Sequence, residues 1–135
     1  MREHTRRGQV EHLRIGMWMA ISLLGMTLHN WFEFPNMPIT RPEYILPFLY
    51  SLILFLGLWR QPTHHKIWEW LILIWGILHF VGGAIISVLP LTMLPFTPEQ
   101  SISHYLSHVL YGVTQIPLLV FIGYRRIRKP GERGS

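Results

Sequence analysis

His29 and Glu33 lie four residues apart, and so do His104 and His108. On a helix that spacing puts both members of a pair on one face, one turn apart, where they can address a common partner. Imidazole and carboxylate groups hold zinc, iron or copper, and two imidazoles from facing helices can ligate a haem iron from both sides. The same groups can instead pass a proton to and from a substrate near neutral pH. His79 stands apart, with Gly76 and Gly83 on its helical face; Tyr111, Gly112 and Gln115 continue the His104–His108 face, and Asn30 adjoins His29. The expected ligands are therefore His29, Glu33, His79, His104 and His108, with Asn30, Tyr111 and Gln115 as supporting hydrogen-bond partners.

Glu33 has a further peculiarity. A carboxylate in the last turn of a helix faces the negative end of the helix dipole. A metal, a cation or a protonated histidine beside it would remove that penalty.

Other chemistries are excluded outright. The chain has no cysteine, so disulfides, thiolate metal sites, Cys-ligated iron–sulfur clusters and thiol catalysis are absent. It carries neither a P-loop nor a dinucleotide-binding fingerprint. The net charge of +5 does not indicate nucleic acid, because the basic residues sit at the two ends and in one short loop. His64 and His65, beside Pro62 and Lys66, read as a solvated turn.

The elements that must position the histidines are membrane helices. Of 135 residues, 50% are hydrophobic and only 14% charged, against about 25% charged in a soluble domain. Four stretches approach the roughly 20 apolar helical residues that a bilayer requires. They run over about 15–33, 43–60, 66–89 and 99–124, and the first follows a basic segment without a signal-peptide cleavage pattern. Thr40–Glu43 and Thr97–Gln100 read as capping boxes with Thr40 and Thr97 as N-caps, and Thr63 as the cap of the third helix. Pro35 ends the first helix, while Pro47 and Pro117 fall inside spans, where membrane helices tolerate them. The apolar loop Pro90–Phe96 is expected on the membrane surface or over the mouth of the bundle, and 128–135 is expected to be a disordered tail.

Orientation follows from charge. Eleven of the 12 Lys and Arg fall on the side of the termini and the second loop, leaving Arg41 alone on the other. That bias places the basic side in the cytoplasm. The expectation is an all-α integral membrane four-helix up-and-down bundle in the plasma membrane, with both termini cytoplasmic. Arg6, Arg7, Arg14, Arg125, Arg126 and Arg128 would contact anionic lipid, whereas Glu69 would pair with Lys66 three residues away.

At 1.5 Å per helical residue, His29, Glu33, His104 and His108 come to similar depths in the non-cytoplasmic half, with His79 deeper. Three functions suit such a cluster: binding haem b or a transition metal (Zn, Fe or Cu) in redox or metal handling, membership as an accessory subunit among other membrane subunits or copies of itself, and intramembrane acid–base catalysis on a lipophilic substrate. Against all three stands plain hydrogen bonding between helices.

Overall fold

The computed structural model describes residues 2–94 and 97–127, with side chains described from Gly8 onward except Pro62. The expected tail at 128–135, and with it Arg128, lies outside the described residues, as do the side chains of Arg6 and Arg7.

The chain is all-helical. Helix α1 spans Arg2–Glu33, α2 Pro42–Arg60, α3 His65–Ile77 and α4 Ile102–Ile127. A short 3-10 turn, Pro62–His64, precedes α3. Beyond Ile77 the helix does not stop: it widens into a π-helical stretch, Leu78–Ile85, and tightens into a 3-10 turn, Ile86–Val88. Three segments, Pro42–Arg60, His65–Val88 and Ile102–Ile127, are long and apolar enough to cross a membrane. In α1 the uncharged, mainly apolar stretch is shorter, bounded by Arg14 on one side and by His29, Asn30 and Glu33 on the other.

Each helix packs on its neighbours in cyclic order, and the α1–α4 pairing is the most extensive. Gly25 makes that approach possible: a Cβ there would lie 1.8 Å from the Thr114 hydroxyl. Gly76 and Gly83 likewise admit Leu119 and Tyr111, whereas nothing lies within 4 Å of a would-be Cβ at Gly82.

Polarity is distributed inside out. Ser22 and Gln115 are fully buried, bonded hydroxyl to amide oxygen across α1 and α4, while Leu24, Leu78, Leu106 and Val120 are each more than half exposed. An apolar exterior of this extent suits lipid contact. In the half of the bundle on the side of the termini the core cluster is apolar, with Ile15, Leu58, Ile72, Trp75, Leu118 and Ile122 drawn from all four helices, beside the buried Glu69. Towards the opposite end it becomes polar.

Helix starts differ from the sequence expectation. The N-cap of α2 is Arg41, not Thr40, and no side chain caps it. Helix α4 begins later than Thr97 suggests, and the Ser101 hydroxyl accepts from the His104 amide at 3.2 Å. Gln100 bonds the carbonyls of Pro98 and Glu99 instead of completing a box. Thr63 lies within the 3-10 turn and caps nothing.

Candidate functional site

The last turns of α1 and the first turns of α4 bring His29, Glu33, His104 and His108 together. Glu33 is the hub. His104 Nδ1 lies 2.6 Å from Oε2, and the Ser107 hydroxyl lies 2.5 Å from Oε1, so both carboxylate oxygens are engaged. The side chains of Glu33 and His104 are only 13% and 10% exposed. A hydrogen bond to a carboxylate is among the stronger kinds, and the imidazole eases the dipole objection raised by the position of Glu33 at a helix end.

Ser107 has one proton and two acceptors within reach, Glu33 Oε1 and the His104 carbonyl at 2.8 Å. The carboxylate is the nearer and the charged one, hence the stronger. Donating to it, Ser107 is free to accept from His29 Nδ1 at 3.2 Å. His108 donates from Nδ1 to the Gly83 carbonyl at 3.0 Å. This carbonyl lies in the π-helical stretch and also accepts from Ser87.

One pattern unites the three rings. His29, His104 and His108 each use Nδ1 for the hydrogen bond, and in each the partner is, or can act as, an acceptor. In the neutral state each therefore carries its proton on Nδ1 and a lone pair on Nε2. His104 Nε2 is buried and has no hydrogen-bond partner. The rings stand edge to face in a row, with centroids 4.5 Å apart for His104–His108 and 4.2 Å for His108–His29.

Tyr111 extends the row. Its ring stacks on His29 at 5.4 Å, and its hydroxyl is hydrogen-bonded to His79 Nδ1. His79 in turn lies 4.4 Å from the Trp75 ring. The deeper histidine is thus joined to the cluster through Tyr111.

Two of the three residues expected to support the site sit elsewhere. Asn30 donates to the Glu43 carbonyl at 3.3 Å, tying α1 to the start of α2. Gln115 bonds Ser22, the Tyr111 carbonyl and Thr114 one layer below. Sequence reasoning missed Ser107, which lies three residues after His104 on the same helical face; that spacing was its available signal.

The donor atoms do not enclose a preformed metal position: among the described residues no group of three or more His, Asp or Glu side chains is arranged to hold an ion. A haem between His29 and His108 does not fit this arrangement either. Two metal–imidazole bonds of about 2 Å would force the ring centres well beyond the 4.2 Å observed.

Beside Glu33 and Ser107 a cavity of about 410 Å³ opens between α1 and α4. Its walls include Phe32, Leu106 and Leu110, which are exposed on the apolar exterior.

At the other end, Glu69 is buried and bonds Arg125 at 2.7 Å, with Arg126 at 3.7 Å. It does not pair with Lys66, because the side chains of α4 cross over it. Arg125 also meets Glu11 at 3.1 Å, and Arg126 lies over the Trp70 ring. Both arginines expected at lipid therefore engage protein groups, while Arg14 is exposed.

Comparison with known protein families, curated proteins and solved structures yields no match to this chain.

Proposed function

We propose that the chain is a four-pass plasma-membrane protein, both termini cytoplasmic, whose non-cytoplasmic half holds an acid–base site acting on a lipophilic substrate. The observation that carries this reading is Glu33, with one oxygen on His104, the other on Ser107, and a cavity alongside that opens to the apolar exterior. A carboxylate and an imidazole in hydrogen-bond contact exchange a proton directly, and His29 and His108 add further basic nitrogens next to them. A substrate reaching Glu33 from the bilayer meets a group able to give or take that proton. The charge bias of the sequence supports the orientation, and helix α1 crosses as the fourth span by virtue of residues 15–32, which carry no formal charge.

Dicyclohexylcarbodiimide, a lipophilic reagent for protonated carboxyl groups, tests the site in membranes. The expected result is a mass adduct on Glu33 that forms more slowly as pH rises and is lost in Glu33→Gln. No adduct at Glu33 between pH 5 and pH 9 would overturn the reading. Topology is tested separately: because the chain has no cysteine, Asn36→Cys and Thr63→Cys each introduce a unique label. Only the first should react from outside intact cells, and the reverse pattern would refute the orientation.

A second reading, a transition-metal centre for Zn, Fe or Cu, is favoured by one observation. His104 backs Nδ1 on a carboxylate and leaves Nε2 buried without a partner, which is how metal-ligating histidines are commonly held. Closing such a site requires the three rings to turn so that their Nε2 atoms converge. Elemental analysis of protein purified without chelators decides it: a stoichiometric metal lost in His104→Ala supports a centre, and a metal-free protein excludes one.

A further inference from the structure

The cavity beside Glu33 has a composition that selects its ligand. Three walls are apolar, Phe32, Leu106 and Leu110, and its charged groups are both carboxylates, Glu33 and Glu99. Among the described residues no Lys or Arg lines it. The surroundings have the same sign: the non-cytoplasmic side of the proposed topology carries Glu33, Glu43 and Glu99 against Arg41. Helix ends do not offset this, since α1 presents its carbonyl end and α4 its amide end at the same level.

We infer that this cavity takes a lipophilic cation, an amphiphile whose positive head sits between Glu33 and Glu99 while its apolar body lies on Phe32, Leu106 and Leu110. The inference rests on the acid–base reading of Glu33 and names the ligand of that site. Its volume of about 410 Å³ lies within the roughly 300–1,000 Å³ of small-molecule pockets. An anionic or zwitterionic headgroup would bring a phosphate against two carboxylates, which like-charge repulsion disfavours. A neutral lipid would make no use of the two carboxylates. A cation satisfies both.

Tetraphenylphosphonium and tetraphenylborate, alike in shape and opposite in charge, provide the test. Calorimetry on the protein in nanodiscs of phosphatidylcholine, with protein-free discs subtracted, should show a saturable site for the cation and none for the anion. Glu99→Gln should weaken it at least tenfold. Leu106→Trp, which fills the cavity from an exposed position and leaves both carboxylates in place, should do the same. Equal uptake of the two ions, or cation binding indifferent to both variants, would overturn the inference. If the cation fails to bind while carbodiimide still labels Glu33, the ligand class is wrong and the acid–base reading survives. If Glu99-dependent binding appears while Glu33 never reacts, the cation site stands and the acid–base reading falls.

Discussion

Replacing Glu33 by Gln keeps the shape of the side chain and removes its charge. The carboxylate accepts from His104 at 2.6 Å and from Ser107 at 2.5 Å, whereas an amide offers one acceptor and turns a donor towards the other partner. Hydrogen bonds to charged groups contribute about 1.5–3 kcal/mol each in soluble proteins. Polar contacts between membrane helices average nearer 0.6 kcal/mol, because helices separated within the bilayer find other partners. With both bonds affected and the site largely shielded, the loss should fall between about 1 and 3 kcal/mol. Unfolding in mixed micelles of rising dodecyl sulfate content measures it. The pairwise part comes from a cycle with His104→Asn, where the second substitution should cost less than it does alone by about 0.5–2 kcal/mol. Strictly additive losses would show that the two groups do not interact, and the hub described for Glu33 would be refuted.

Three further outcomes follow from the geometry. Glu69→Gln should destabilise by about 2 kcal/mol, less than the 3–5 kcal/mol for breaking a fully buried pair, because Arg125 keeps Glu11 and is partly exposed; an unchanged unfolding midpoint would contradict the pairing. Gly25→Ala should cost about 1–3 kcal/mol through overpacking on Thr114, with Thr114→Ala recovering part of the loss in the same assay. Burial, with Arg125 nearby, holds His12 below its ordinary pKa. The folded state thus favours the neutral ring, so stability present above about pH 6.5 is lost as pH falls through that value. Unfolding midpoints at pH 7.5 and 5.5 should differ less in His12→Gln than in the parent, and an equal difference would show that His12 is not responsible.

The sequence displayed some of this arrangement openly and hid the rest. Apolar stretches bounded by Glu43 and Arg60, or ending at Arg125, identify helices because lipid-facing segments admit few charges. The i,i+4 pairs His29–Glu33 and His104–His108 disclosed the cluster because helical spacing alone aligns them, and neighbouring helices brought the two pairs to one level. Ser107 escaped notice because a single hydroxyl on a helix more often bonds its own backbone, and here too the His104 carbonyl lies within its reach. Asn30 was placed by adjacency to His29 and Gln115 by continuing the His104–His108 face, and neither decides which group of a neighbouring helix a side chain meets. Thr40 and Thr97 have the residue types of N-caps, yet Arg41 and Ser101 occupy the helix starts, since tertiary packing sets where a helix begins to within a turn. The π-helical stretch left no mark in composition at all.

That wide turn sets the phase between two parts of the cluster. His79, near its start, meets Tyr111, and Gly83, further along it, presents the carbonyl that orients His108. A π-turn stores one residue more than an α-turn. Winding the same residues 78–85 as an ordinary α-helix would swing everything beyond them by about 100°. The wide turn between His79 and Gly83 is thus a tooth count on a gear: the same chain wound without it keeps every histidine and loses their alignment.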